Sequence, residues 1–168
     1  MERKIIVISD VDGCLTDGKF VYTVDGKVAK VFGPHDADGV KLLKKNGIDV
    51  RFISADKRGF EITKKRITDM KCELDYVSEQ ERGSYLKSYI DSDYEAVIFF
   101  GDGLGDLAAV QANPSTYFIA PKNARWQVRT AAKYITSNIG GEGAFLDLAE
   151  YIVNNSKFVN INDRISLY

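Results

Sequence analysis

Apolar positions along this chain fall into short β-branched runs separated by longer amphipathic stretches. Five runs read as strands: IIVIS at 5–9, DVRFIS at 49–54, LDYV at 74–77, AVIFF at 96–100 and TYFIA at 116–120. Helical spacing of apolar residues marks the stretches at about 38–46, 57–70, 82–91, 105–112, 123–132 and 142–154. The alternation predicts an α/β fold, a single Rossmann-like three-layer domain whose mainly parallel sheet is covered by helices on both faces. One segment breaks the rhythm. KFVYTVDGKVAKVF at 19–32 holds two alternating runs around Asp25-Gly26, the two-residue turn signature of a β-hairpin, and is expected to project as a flap. The domain is expected to span residues 1–153, with 154–168 as a partly extended C-terminal tail.

Length and charge narrow the classes of partner. At 168 residues and 45% hydrophobic content the chain fits one domain of ordinary size. Its 23 basic and 24 acidic residues leave a formal charge of -1, so no global field recruits nucleic acid or an anionic membrane, and small solutes are the expected partners. Cys14 and Cys72 are too few for a disulfide framework and form no C-x-x-C pair, which suits a reducing cytoplasm. The apolar run near the start meets Asp10 after five residues, as a strand would and a signal peptide would not. No stretch approaches the roughly 20 apolar residues of a spanning helix, so a soluble protein is expected.

Open parallel sheets bind ligands at the carboxyl ends of their strands, so the residues just past each run are where chemistry is sought. Past the first run stand Asp10, Asp12 and Gly13; past the second, Ser54; past the fourth, GDGLGD, with Asp102 and Asp106. Four carboxylates and a hydroxyl thus converge on one edge. Crowded acids repel unless a cation neutralises them, and an all-oxygen donor set suits a hard ion such as Mg2+. Asp10 is placed to act as a nucleophile towards a phosphate ester once its charge is screened. Asp12, on the same side but entering the turn, is placed to protonate a leaving-group oxygen and then to deprotonate water.

The ordered set DVDGCLTDG, a run ending in Ser54, and a run ending in GDGLGD resembles the signature of the haloacid dehalogenase superfamily. The resemblance implies that Asp10 becomes phosphorylated, that Asp12 is general acid and base, and that Ser54 holds the phosphoryl group. It also implies a magnesium site among Asp10, Asp12, Asp102 and Asp106, with Gly13 and Ala55 beside the substrate. A cation completes the phosphate site in that superfamily. Alignment of VSEQERGSYLKSYI by its flanking runs puts Arg82 there, with Lys87, a turn and a half later, as the rival.

Only 41 residues separate Asp12 from Ser54 and 47 separate Ser54 from Asp102, too few for the large cap domains of many members. The patterns FGPHDADGVKLLKKNGIDVRFIS and GGEGAFLDLAEYI resemble the capless 3-deoxy-D-manno-octulosonate 8-phosphate phosphatases and the phosphatase-like domains of acylneuraminate cytidylyltransferases. That resemblance implies a sugar phosphate substrate and a homo-oligomer, a tetramer assembled through the hairpins. Two departures bear on the substrate. Glu142 stands where relatives carry arginine, and HDADG at 35–39 replaces a more usual R-D-G-x-G, leaving His35 and Asp38 either as substrate contacts or as turn residues. A phosphomutase would need a cap that the chain lacks. A silent domain with an assembly role in sugar-nucleotide metabolism is the remaining alternative, and the complete set of motif residues weighs against it.

Overall fold

The computed structural model describes residues 4–160 and 162–166. Its central strand, β1 (Ile5–Asp10), is buried at every position, because helices cover both faces of the sheet around it. β4 (Ile48–Ser54) and β5 (Glu73–Tyr76) lie on one side of β1, and β6 (Ala96–Phe100), β7 (Tyr117–Ala120) and β8 (Tyr134–Ile135) on the other. The order is β5-β4-β1-β6-β7-β8, and every pairing is parallel. The chain winds outward from β1 in one direction, then returns to build the other half. This reversal opens a crevice beyond the carboxyl ends of β1 and β6, the position where doubly wound sheets bind ligands.

Side chains alternate across the strands and divide the core in two. Ile5, Val7, Phe52 and Phe100 face Leu43 of α1 (Asp36–Lys45), Ile67 of α2 (Phe60–Asp69) and Phe145 of α6 (Ala144–Val153). Ile6, Ile8, Ile53 and Phe99 face Leu86 of α3 (Arg82–Ile90), Ala109 of α4 (Leu104–Ala112) and Val128 of α5 (Trp126–Ala131). Phe52 and Phe145 meet with ring centroids 5.3 Å apart, tying β4 to α6. A fully buried aromatic side chain of this kind contributes up to about 3 kcal/mol by removal from water.

The structure departs from the sequence reading at element ends. β8 has two residues, too short a run to stand out, and is held at the sheet edge by Lys133 N–H donating to Phe118 O at 2.8 Å and Thr136 N–H to Ala120 O at 3.0 Å. α5 begins at Trp126 rather than 123 because residues 121–125 turn, with Arg125 N–H donating to Asp102 O at 3.0 Å. The hairpin forms from β2 (Val21–Thr23) and β3 (Gly26–Ala29), but Thr23 pairs with Gly26, so Val24-Asp25 and not Asp25-Gly26 makes the turn. A bulge between Val21 and Tyr22 shifts the register further along the ladder. The described part of the tail folds back on the domain. Phe158 is buried against Tyr117, with centroids 4.9 Å apart, and Ile165 exchanges two backbone hydrogen bonds with the Asn46 side chain, of 2.8 and 2.9 Å.

Asp36, at the start of α1, is fully buried and neither carboxylate oxygen has a hydrogen-bond partner; Arg66 Nη2 is 4.0 Å away. Burial pushes its carboxyl up to about 7, an effect that the Arg66 charge only partly offsets.

Candidate active site

Three carboxylates meet over the crevice. Asp10 ends β1, Asp102 follows β6, and Asp106 lies in the first turn of α4; one oxygen of each falls within 4.8 Å of the others. Each is held in place from its own segment. Val11 N–H donates to Asp10 Oδ1 at 2.8 Å, and Asp106 Oδ2 accepts from the backbone N–H of Asp102 at 2.9 Å and of Gly103 at 3.1 Å. The latter pair closes the N-terminus of α4 on a carboxylate, the arrangement that the free amide groups of a helix start favour. Gly13 lies directly beneath Asp102: a Cβ there would stand 2.0 Å from Asp102 Oδ2, and φ is +88°. Glycine is required at this position, both by conformation and by the closeness of the acid.

Arg82 opens α3 and is 5% exposed. Its Nη1 donates to Asp10 Oδ2 at 3.0 Å and also to Asp106 Oδ1. Lys87 points away, on to Asp91 at the end of the same helix, and is exposed. Of the two candidate cations, Arg82 is the one at the site. One guanidinium among three carboxylates leaves an excess of negative charge in a poorly solvated place. Burial, and then Asp106, raise the Asp10 carboxyl well above the usual carboxylate range. Burial, and then Asp106, push Asp102 up to about 7. Burial raises Asp106 too, against the lowering effect of Arg82. A divalent cation among these oxygens restores the balance, so the residues present fit a hard metal ion.

Ser54 ends β4, fully buried, and its Oγ accepts from Asp56 N–H at 3.1 Å, which leaves its proton free. Ala55 is the half-buried residue between them. The carboxylate of Asp12 is directed outside the acid trio, on to Lys30: Nζ donates to Oδ2 at 3.0 Å and lies 2.8 Å from Oδ1. His35 sits before α1 with φ 72°, its Nδ1 3.5 Å from Asp38 Oδ2, and both side chains are about half exposed. A Cβ on Gly143 would stand 3.8 Å from the His35 ring, so His35 borders the 140–143 loop, where Glu142 is exposed.

Three residues near the site carried no weight in the sequence. Lys30 and Asp56 form an ion pair of 2.8 Å, and Asn123 bridges two loops, donating to Gly13 O at 2.9 Å and accepting from Gly140 N–H at 2.7 Å. Asn123 follows the fifth predicted strand, so the same strand-end rule points to it. No comparable signal exists for Lys30, which lies in an alternating run that tells only which face a residue takes.

A doubly wound sheet with D-x-D ending its first strand, a serine ending the next and an acid pair beyond the fourth predicted one is the construction of haloacid dehalogenase-type hydrolases. No protein-family model matches the chain. The 3-deoxy-D-manno-octulosonate 8-phosphate phosphatase KdsC of Haemophilus influenzae is 31% identical over 156 residues, covering 91% of this chain and 84% of that protein. The solved 3-deoxy-D-manno-octulosonate 8-phosphate phosphatase of Moraxella catarrhalis, in complex with magnesium ion, phosphate ion and KDO, superposes with a TM-score of 0.78 at 26% identity, covering 92% of this chain and 89% of that one. An N-acylneuraminate cytidylyltransferase of Oncorhynchus mykiss is 24% identical over 155 residues, which are 88% of this chain and 35% of that protein. The chain belongs to the haloacid dehalogenase superfamily and, within it, to the family of the KdsC phosphatases.

Proposed function

We propose that the protein is a Mg2+-dependent phosphomonoester hydrolase that works through an aspartyl phosphate on Asp10 and acts on a sugar phosphate, of the class of 3-deoxy-2-keto sugar acid phosphates. The observation that carries this reading is the meeting of Asp10, Asp102 and Asp106 around Arg82 at the switch point of the sheet. Asp10, Asp102 and Asp106 would hold Mg2+, which when bound supplies the positive charge that lets an anionic nucleophile approach an anionic ester. Ser54 and Arg82 bind phosphoryl oxygens, and Arg82 also orients Asp10. An oxygen of Asp10 attacks phosphorus, the P–O bond to the sugar breaks, and the leaving oxygen takes the proton of Asp12. The Asp12 carboxylate then takes a proton from water, whose oxygen attacks the same phosphorus. The P–O bond to Asp10 breaks, inorganic phosphate leaves, and both aspartates are restored. Gly13, Ala55, His35 and Asp38 are assigned to the substrate side of the site. The cytoplasm is the assigned compartment; among the described residues no helix is long and apolar enough to cross a membrane.

The KdsC relative and the KDO-bound neighbour support the substrate class, and a panel of phosphomonoesters with Mg2+ tests it. Phosphate release is expected to be fastest from a 3-deoxy-2-keto sugar acid phosphate and to stop when a chelator is added. Release that persists in chelator would overturn the metal assignment, and a preference for nucleotides or neutral sugar phosphates would overturn the substrate class.

The hairpin leaves Phe20, Val21, Tyr22, Val24 and Val28 exposed, and apolar residues gathered on a two-stranded flap call for a partner. The proposed partner is a second copy of the chain, within a homotetramer whose neighbouring subunits roof each site. Sedimentation is expected to show the tetramer, and Phe20→Glu/Tyr22→Glu to dissociate it. A wild-type monomer at micromolar concentration with full activity would refute the assembly.

A further inference from the structure

Lys30 follows β3 at the base of the hairpin, and its side chain is entirely shielded from solvent. Its ammonium donates to Asp12 Oδ2 at 3.0 Å and to Thr63 Oγ1 of α2 at 2.8 Å, and forms an ion pair with Asp56 Oδ2 at 2.8 Å. Two carboxylates and a hydroxyl surround the shielded ammonium and engage its charge within this cluster. Asp56 also pairs with Lys27 at 2.6 Å, and the Phe20 ring covers Lys27 at 3.5 Å from its centroid. Lys27 and Lys30 thus balance Asp12 and Asp56. A charge-neutral cluster closed off by an aromatic ring holds its own members in place and has little field left to attract a ligand. The packing leaves no slack: a Cβ on Gly59 would stand 2.3 Å from Asp56 Oδ2 and 2.7 Å from Lys30 Cε.

Among the described residues, Lys30 is the cation paired with Asp12. We propose that Lys30 is the positioning residue for Asp12: it holds that carboxylate where it can reach the leaving-group oxygen, and because Lys30 directly follows β3, the seating of the hairpin on its own domain sets the acid's position. The inference rests on the acid–base role assigned to Asp12 above. It connects the hairpin to the chemical step inside one subunit, separately from any part that the hairpin plays in assembly.

Leaving-group dependence tests it. An aryl oxygen of low pKa departs without a proton, whereas an alkyl oxygen needs one, so a displaced general acid costs far more on the alkyl ester. The measurement is kcat/KM of the full-length, Mg2+-loaded protein on p-nitrophenyl phosphate and on the fastest alkyl phosphate of the panel. Lys30→Met is expected to lower the alkyl value by about 30-fold or more, and by roughly ten times more than the aryl value. In an Asp12→Asn background the same substitution is expected to cause no further loss on the alkyl ester, since its effect passes through Asp12. Equal losses on both esters, or additive losses in the double variant, would overturn the proposal. Should Asp12→Asn discriminate between the esters while Lys30→Met does not, the positioning role alone fails. Should Asp12→Asn itself not discriminate, the acid–base assignment fails and the positioning role falls with it. If Lys30→Met does not fold, Lys30→Met/Asp56→Asn keeps the cluster neutral, and the same outcomes apply to it, compared with Asp56→Asn.

Discussion

Asp10→Asn is expected to lower turnover of every phosphomonoester to below about one-thousandth of wild type while the protein remains folded, the scale of loss seen when a nucleophile is removed from a site whose parts act as a unit. The amide has no anionic oxygen with which to attack phosphorus, so both the formation and the breakdown of the proposed aspartyl phosphate disappear. The fold has little to lose. The amide oxygen can still accept from Val11 N–H, which donates to Asp10 Oδ1 in the native protein. The native carboxylate is unfavourably placed to begin with, its carboxyl raised by burial and by Asp106 and Asp102 against the pull of Arg82. Neutralising it removes repulsion along with one ion pair. Melting in chelator is therefore expected to stay within a few degrees of wild type, measured beside a phosphate-release assay. Turnover above a few per cent of wild type would overturn the covalent route.

Arg82→Met is expected to have the opposite profile, a large loss of stability as well as of activity. Arg82 is the guanidinium bonded to both Asp10 and Asp106, and removing one partner of a buried ion pair typically costs about 3–5 kcal/mol because the other charges stay buried. The loss has a pH signature. Asp102, pushed up to about 7, and Asp10, raised well above 3.8, bind protons more tightly folded than unfolded. Groups of that kind contribute most stability when protonated, and lose it as pH rises from about 4 towards 7, by up to about 1.4 kcal/mol per pH unit for each. Metal-free wild type should therefore melt at a higher temperature at pH 5 than at pH 7.5. Without the lowering effect of Arg82 the variant should show a steeper difference, and Mg2+ should reduce it in both proteins by taking the place of the site's protons, leaving the part that Asp36, also pushed up to about 7, contributes. Asp56, held down to about 2 by Lys27 and Lys30 despite its partial burial, works the other way, but only below about pH 4. Melts across this range with and without Mg2+ check the prediction; a pH-independent loss would show that Arg82 supports the fold by packing alone.

Much of the site was legible because strand ends are legible. Asp10, Ser54 and Asp102 each follow a continuous apolar run, and parallel strands buried on both faces must be written as such runs. Once the runs are parallel, their carboxyl ends share one edge, so residues distant in sequence are neighbours by topology. Arg82 could be placed by its distance from the flanking runs, because it opens the helix that leads into β6. The order of the strands was not legible, nor was the two-residue β8, whose pairing depends on where β7 lies rather than on any propensity of Tyr134 and Ile135.

What the sequence by itself determined is the α/β rhythm, the edge on which the acids gather and the hairpin as a departure from that rhythm. Each of these is a property of periodicity, which a single chain segment carries locally. Only the tertiary structure decided what the acids do to one another and what the hairpin touches. The closeness of Asp10, Asp102 and Asp106, their raised carboxyls and the choice of Arg82 over Lys87 depend on distances across the crevice and on exclusion of water, which no segment specifies alone. Lys30 on Asp12 is the plainest case: the two lie 18 residues apart, Asp12 in the turn after β1 and Lys30 at the end of the alternating stretch, and the direction in which the hairpin folds back, set by Thr63 and Asp56 from α2 and the loop before it, brings the ammonium to the carboxylate.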